Sequence, residues 1–228
     1  RKVRLTGLSL AKTQEIVEQD VLGNETVTAT AVDRDAKEVT RTVDYPDSAL
    51  DAESVSVNGL LQEQTTKEGL TYSFAYDGLG RRTGTTDPRT GASATAYSCC
   101  GRVASVEDAA GNVTSYAYDP DTGRLIAQTN ALGKLTRYEY DAQGRMIRTW
   151  GESVYPVSYA YDEFGRMTNM ATYRSGTGWG SWDWPGGEGD VTAWGYDQAS
   201  GLLISKTYAD GKGPTYTYTA DGVGLGED

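Results

Sequence analysis

The chain has no histidine, so the usual general base at neutral pH, and the commonest metal ligand, is missing. Two cysteines, Cys99 and Cys100, stand side by side. With no histidine to join them, they do not complete a tetrahedral zinc site. Neighbours on a strand point to opposite faces, so the pair reads as two free thiols rather than a bridge. Three tryptophans, Trp179, Trp182 and Trp184, fall in a glycine-rich stretch between Arg174 and Asp190. Such rings could stack on a sugar or grip a peptide. The competing reading is that the stretch folds back and covers apolar surface at a sheet face or edge. Asp119-Pro120-Asp121-Thr122-Gly123 looks like the start of an acidic calcium loop, but the distal bidentate glutamate is absent and a proline-containing turn explains it. Arginine follows glycine at Arg81, Arg102, Arg124, Arg145 and Arg166. If the units stack, these form a column beside a column of aspartates, suited to ion pairs and hydrogen bonds, or alternatively to an anion. No carboxylate pair stands out from this pattern. The reading is a non-enzyme with no cofactor and no metal.

Composition narrows the partners. The net charge is −11 with a pI near 4.5. Nucleic acid and anionic membrane both call for basic patches, so neither is expected. No run approaches the roughly 20 apolar residues of a membrane span. No signal peptide is visible, and a chain opening on Arg1 reads as a segment of something longer. Hydrophobic residues make up only 38%, yet there are 16 tyrosines and 28 glycines. Burial must then rest largely on tyrosine rings, which suits many short strands and tight turns.

The elements that position these residues follow from a repeat. Tyr-x-Tyr-Asp, a short turn and Gly-Arg recur about every 21 residues. The copies are Tyr76, Asp77, Gly80, Arg81; Tyr116, Tyr118, Asp119, Gly123, Arg124; Tyr138, Tyr140, Asp141, Gly144, Arg145; and Tyr159, Tyr161, Asp162, Gly165, Arg166. Trp194, Tyr196, Asp197, Gly201 and then Tyr216, Tyr218 continue the series. One interval is longer: Tyr161 to Tyr196 is 35 residues, and the glycine- and tryptophan-rich stretch accounts for it. Alternate residues such as Thr136, Tyr138 and Tyr140 share one face of a strand. Aspartate opens a turn, and glycine supplies its positive φ. Each unit therefore reads as two strands of about six to eight residues. The aromatic rows are expected to stack between units as cross-strand pairs.

The expected fold is all-β: tandem antiparallel hairpins forming a curled, spiral strip. Residues 1–70 read as diverged hairpins, with turn signals at Asp20–Asn24, Asp33–Lys37 and Asn58-Gly59. Residues 71–222 carry the repeat, interrupted by the insertion at 174–190, and 223–228 form a tail. About 20 strands exceed what an open sheet holds without curling. The strip's end strands are exposed edges that invite self-association.

The phrase Tyr-Asp-x-x-Gly-Arg plus an apolar residue, at Tyr76–Arg81, Tyr140–Arg145 and Tyr161–Arg166 and with one extra residue at Tyr118–Arg124, resembles the YD repeat of the RHS family. That family includes bacterial polymorphic toxins, C components of insecticidal toxin complexes and animal teneurins. The resemblance implies a hollow shell wound from a hairpin strip, in toxins around a C-terminal payload and in teneurins as an adhesion scaffold. It implies as partners the rest of the parent polypeptide or an enclosed toxin domain, or else protein or glycan at the cell surface, and a secreted or cell-surface parent. The chain departs from the family pattern in having Leu202 and Val223 after Gly201 and Gly222. It also shows no RHS core segment with self-cleaving carboxylates and no toxin domain.

Overall fold

A computed structural model of the chain describes residues 2–6, 11–174, 180–184, 186–219 and 224–227. Among the described residues every regular element is a strand, and every pairing between strands is antiparallel. Two compact units divide the chain at residues 1–113 and 114–228.

In the first unit the strands are β1 (Lys2–Thr6), β2 (Ala11–Gln19), β3 (Glu25–Asp33), β4 (Glu38–Asp44), β5 (Ala52–Val57), β6 (Leu60–Thr65), β7 (Thr71–Tyr76), β8 (Arg82–Asp87), β9 (Gly91–Tyr97) and β10 (Val103–Glu107). Each pairs with the next in sequence. The Asn58-Gly59 hairpin has positive φ at both residues, 53° and 79°, which is the two-residue turn whose twist suits paired strands.

The second unit holds β11 (Val113–Tyr118), β12 (Leu125–Thr129), β13 (Leu135–Tyr140), β14 (Met146–Gly151), β15 (Val157–Tyr161), β16 (Met167–Thr172), β17 (Asp190–Tyr196) and β18 (Leu203–Thr207). These too pair consecutively. A last hairpin joins β19 (Tyr216–Tyr218) to β20 (Gly224–Glu227). Residues 224–227, placed by sequence in a tail, thus pair as a strand.

The turns follow the sequence closely. Asp77 N–H donates to the Arg81 carbonyl at 3.0 Å and Gly80 N–H to the Asp77 carbonyl at 2.9 Å, and Asp141–Arg145 and Asp162–Arg166 repeat both bonds. Gly80 and Gly165 take φ of 77° and 83°, a conformation costly for residues with a side chain.

Two findings depart from expectation. First, the register breaks by one residue beside the terminal tyrosine of every motif hairpin. Tyr76 opposes Arg82, Tyr118 opposes Leu125, Tyr140 opposes Met146, Tyr161 opposes Met167 and Tyr196 opposes Leu203, each across a β-bulge. Second, the aromatic rows do not stack on one another. Tyr138 faces Thr149, Tyr159 faces Met170 and Trp194 faces Lys206. Each unit contributes two strands, so successive motif strands lie about 10 Å apart, too far for a cross-strand ring pair.

Candidate functional site

The motif residues form one recurring site, built where one repeat meets the next. A bulge leaves a strand carbonyl outside the regular ladder. The tyrosine hydroxyl of the following repeat donates to it. Tyr97 Oη binds the Arg82 carbonyl at 2.9 Å, Tyr161 Oη that of Met146 at 2.9 Å, Tyr196 Oη that of Met167 at 2.9 Å and Tyr218 Oη that of Leu203 at 2.7 Å. Arg82, Met146, Met167 and Leu203 are the residues that oppose the preceding tyrosine across each bulge. Tyr76 Oη donates to the Leu61 carbonyl at 2.8 Å, beside the bulge between β5 and β6. The seam is where support is needed: β14 and β15 share only two register pairs, Arg148–Ser158 and Thr149–Val157.

The Gly-Arg arginines act across the same seam. Arg145 Nε donates to Asp141 Oδ2 at 2.6 Å within its own turn, while its Nη1 donates to the Asp162 carbonyl of the next turn at 3.1 Å. Its guanidinium lies 4.8 Å from the Tyr161 ring centre. Arg81 sits over Tyr97 at 4.4 Å and Arg166 over Tyr196 at 4.6 Å. Both also pair with the aspartate of their own turn, Asp77 and Asp162, at 2.7 Å. Arg124 donates to the Asp141 carbonyl at 3.0 Å. Arg145 thus links two turns and one ring, while Arg81 and Arg166 join the aspartate of their own turn to the tyrosine ring of the next repeat.

The aspartates fall into two groups. In the four-residue turns, partial burial pulls the carboxyls of Asp77, Asp141 and Asp162 upward. The arginine N–H and guanidinium more than offset this and hold them below the usual range. In the longer turns a hydroxyl takes that place. Thr122 Oγ1 donates to Asp119 at 2.7 Å and Ser200 Oγ to Asp197 at 2.6 Å, and these bonds lower both carboxyls. Asp119 therefore acts as the cap of its own turn. Among the described residues no group of three His, Cys, Asp or Glu is placed to hold a metal ion.

The insertion builds a second site. Thr172 pairs with Asp190, so the sheet closes at the base of the loop and the ladder continues. Trp179 lies outside the described residues. Trp184 turns inward, edge-on to Trp150 at 5.5 Å and to Tyr173 at 5.2 Å. Trp150 Nε1 donates to the Ser181 carbonyl at 3.1 Å. Trp182 lies over the Arg137 guanidinium at 4.4 Å while remaining 63% exposed. The buried residues Ala127, Arg137, Trp150, Gly151 and Pro156 cluster in this part of the unit. Arg137 is only 2% exposed, and its Nε and Nη1 make no hydrogen bond. Burial lowers its pKa, with Glu152 acting in the opposite sense. The cation–π contact with the half-open Trp182 ring contributes on the order of 1 kcal/mol, which offsets part of the cost of those bare N–H groups.

Reasoning from sequence missed the platform under the loop. Register places Arg137 opposite Trp150 and Glu139 opposite Arg148, on the face away from Tyr138. Neighbouring repeats put Ser115 and Ser158 where Arg137 stands. Large side chains on an otherwise small-residue face were the available signal.

The geometry defines a structural class: antiparallel hairpins in tandem, each fastened to the next by side chains that the repeat itself supplies. The RHS Repeat family model matches residues 56–92 and 120–149. Those stretches of the chain are repeats of the RHS/YD type. Among solved structures it is similar to the Photorhabdus luminescens Tc holotoxin pore carrying a TccC3 mutation, at 16% identity and a TM-score of 0.51, over 91% of this chain and 13% of that one. It also aligns with TcdB2-TccC3 lacking the hypervariable C-terminal region, at 16% identity and a TM-score of 0.46, over 94% of this chain and 14% of that one. The chain thus spans about a seventh of the length of the structures it matches. A search of curated proteins found no match.

Proposed function

We propose that the chain is a wall segment of an RHS-type shell that encloses or displays a partner polypeptide, such as a toxin domain, and that it has no catalytic role of its own. One observation carries the reading: tyrosines and arginines of the motif are committed to links between neighbouring repeats and its aspartates to their own turns, with Arg145 joining Asp141, the Asp162 carbonyl and the Tyr161 ring. Side chains so engaged hold a surface together and are not gathered around a cleft. The likeness to the Tc holotoxin structure supports a secreted parent in which this strip is wall. Residues before 70 are, in this reading, earlier hairpins of the same strip.

The test is protease protection in the full parent polypeptide. The enclosed partner is expected to resist digestion there and to be cut when expressed alone. Arg145→Ala with Arg166→Ala should admit the protease. Equal digestion in both contexts would remove the shell reading.

A second reading rests on Trp182, exposed above Arg137. In it the loop is a contact for protein or glycan at the cell surface, with Trp182 outward and Trp184 as its anchor. Binding on a glycan or peptide array should be lost in Trp182→Ala. Retained binding would exclude this contact.

A further inference from the structure

We propose that Cys99 and Cys100 form a redox clasp, closing to a vicinal disulfide by exchange with a small-molecule disulfide and reopening with thiols. The pair occupies the two central positions of the Ser98–Gly101 turn, where Gly101 N–H donates to the Ser98 carbonyl at 3.0 Å. Both thiols are free and exposed, and their sulfurs lie 3.4 Å apart. Neither is used by the repeat.

The turn itself is the second observation. In the corresponding turns aspartate fixes the backbone: Asp77 Oδ1 accepts from Leu79 N–H and Arg81 N–H, and Asp162 Oδ1 from Phe164 N–H and Arg166 N–H. Ser98 stands in that position here and has no carboxylate to offer. The Cys99–Cys100 peptide therefore lacks the clasp that would resist rotation. Closure brings the sulfurs to about 2.05 Å. Adjacent Cα atoms are about 3.8 Å apart, below the usual 4.4–6.8 Å span of a disulfide, so the ring is strained and readily reduced. Such a bond switches with its surroundings and does not serve as a permanent staple.

The exchange balances as follows. The Cys100 thiolate attacks one sulfur of the disulfide RSSR, forming Cys100–S–SR and releasing RS⁻. The Cys99 thiol then gives its proton to solvent. Its sulfur then attacks that of Cys100, forming the ring and releasing a second RS⁻. The protein loses two electrons, and RSSR becomes two thiols. Gly101 lies against Arg81, whose guanidinium covers Tyr97, so the change falls at a seam between repeats.

The test uses the reduced chain and oxidised glutathione, followed by iodoacetamide and mass spectrometry of the tryptic peptide spanning 90–102. The wild type is expected to carry two alkyl groups or none, the latter with two hydrogens lost and no glutathione. Cys99→Ser should instead accumulate a glutathione adduct on Cys100. Because the neighbouring thiol resolves the adduct intramolecularly, the wild type should hold at least about tenfold less of it. A wild type that accumulates glutathione adducts like the variant, or that forms disulfide-linked dimers, would overturn the proposal. The result is independent of the shell reading, which protease protection tests separately.

Discussion

The strands before residue 65 and the hairpins after residue 71 have the same topology but hold their neighbours differently. β2 and β3 are nine residues each and match along nine register pairs, and β3 and β4 match along seven. Valine, threonine and alanine fill these strands, and one bulge interrupts β5 and β6. From β7 to β18 the strands are five to seven residues long, a bulge accompanies each terminal motif tyrosine, and seams fall to two pairs at β14–β15. Tyrosine and arginine make up the difference. A long ladder is stabilised by backbone hydrogen bonds and β-branched pairs along its whole length. A short bulged ladder gives up some of those bonds but exposes carbonyls that a neighbouring side chain can reach. The second arrangement makes each junction depend on identified residues.

That difference can be broken from either side. The largest effect is expected from Thr30→Pro, which lies in β3 between Gln14 and Arg41. Proline removes a ladder donor in a strand paired on both sides and should cost about 3 kcal/mol or more, read as a fall in the urea midpoint. A smaller change would mean that the early strands do not rely on their ladder. Next is Arg145→Ala. Loss of the bond to the Asp162 carbonyl and of the contact with Tyr161 should cost about 1–3 kcal/mol. Arg41→Ala, at an exposed position of β4, should stay within about 0.5 kcal/mol. Equal effects would erase the distinction. Tyr161→Phe removes only the hydroxyl that reaches Met146 and should cost about 1 kcal/mol by the same measurement.

Much of this was visible in the sequence because the turn is encoded locally. Asp162, Gly165 and Arg166 carry their own bond pattern, so spacing alone located the hairpin, its period and the aspartate–arginine pairing. The bulge was not visible. The extra residues, Thr83, Ile126, Ile147 and Thr168, look like ordinary strand residues, and the tyrosine's acceptor is a backbone carbonyl with no residue signature. That is why the aromatic rows suggested ring stacking where the hydroxyls do the joining. The insertion was located by its interrupted period. Which tryptophan faces inward was hidden, because a glycine-rich loop has no periodicity to assign a face. Trp184 is fixed by Trp150 and Tyr173, and Tyr173 in turn meets Ser158, residues up to 34 positions apart in sequence.

The finest discrimination comes from acid. Asp20, in the early region, is held by neutral donors: the Asn24 amide at 2.9 Å and the N–H groups of Leu22 and Asn24. Asp141 is held by a cation, Arg145. Both carboxyls ionise below the ordinary value, Asp20 chiefly through the Asn24 side chain, and Asp141 through Arg145 acting against its partial burial. A depressed folded pKa means the unfolded chain binds the proton first as pH falls. The stabilisation is therefore complete above about pH 4, the unfolded value, and fades as pH drops through the folded one. Asp20→Asn and Asp141→Asn should each flatten the acid limb of the urea midpoint plotted between neutral pH and about pH 2.5. Salt separates them. Screening weakens the interaction of the Asp141 carboxylate with the guanidinium, so the acid-dependent part lost in Asp141→Asn should shrink as salt is added. The part lost in Asp20→Asn, resting on short bonds to neutral groups, should change less. If both respond equally, Asp20 and Asp141 are held alike, and the contrast between the two regions is confined to tyrosine and the arginine reach to the next turn.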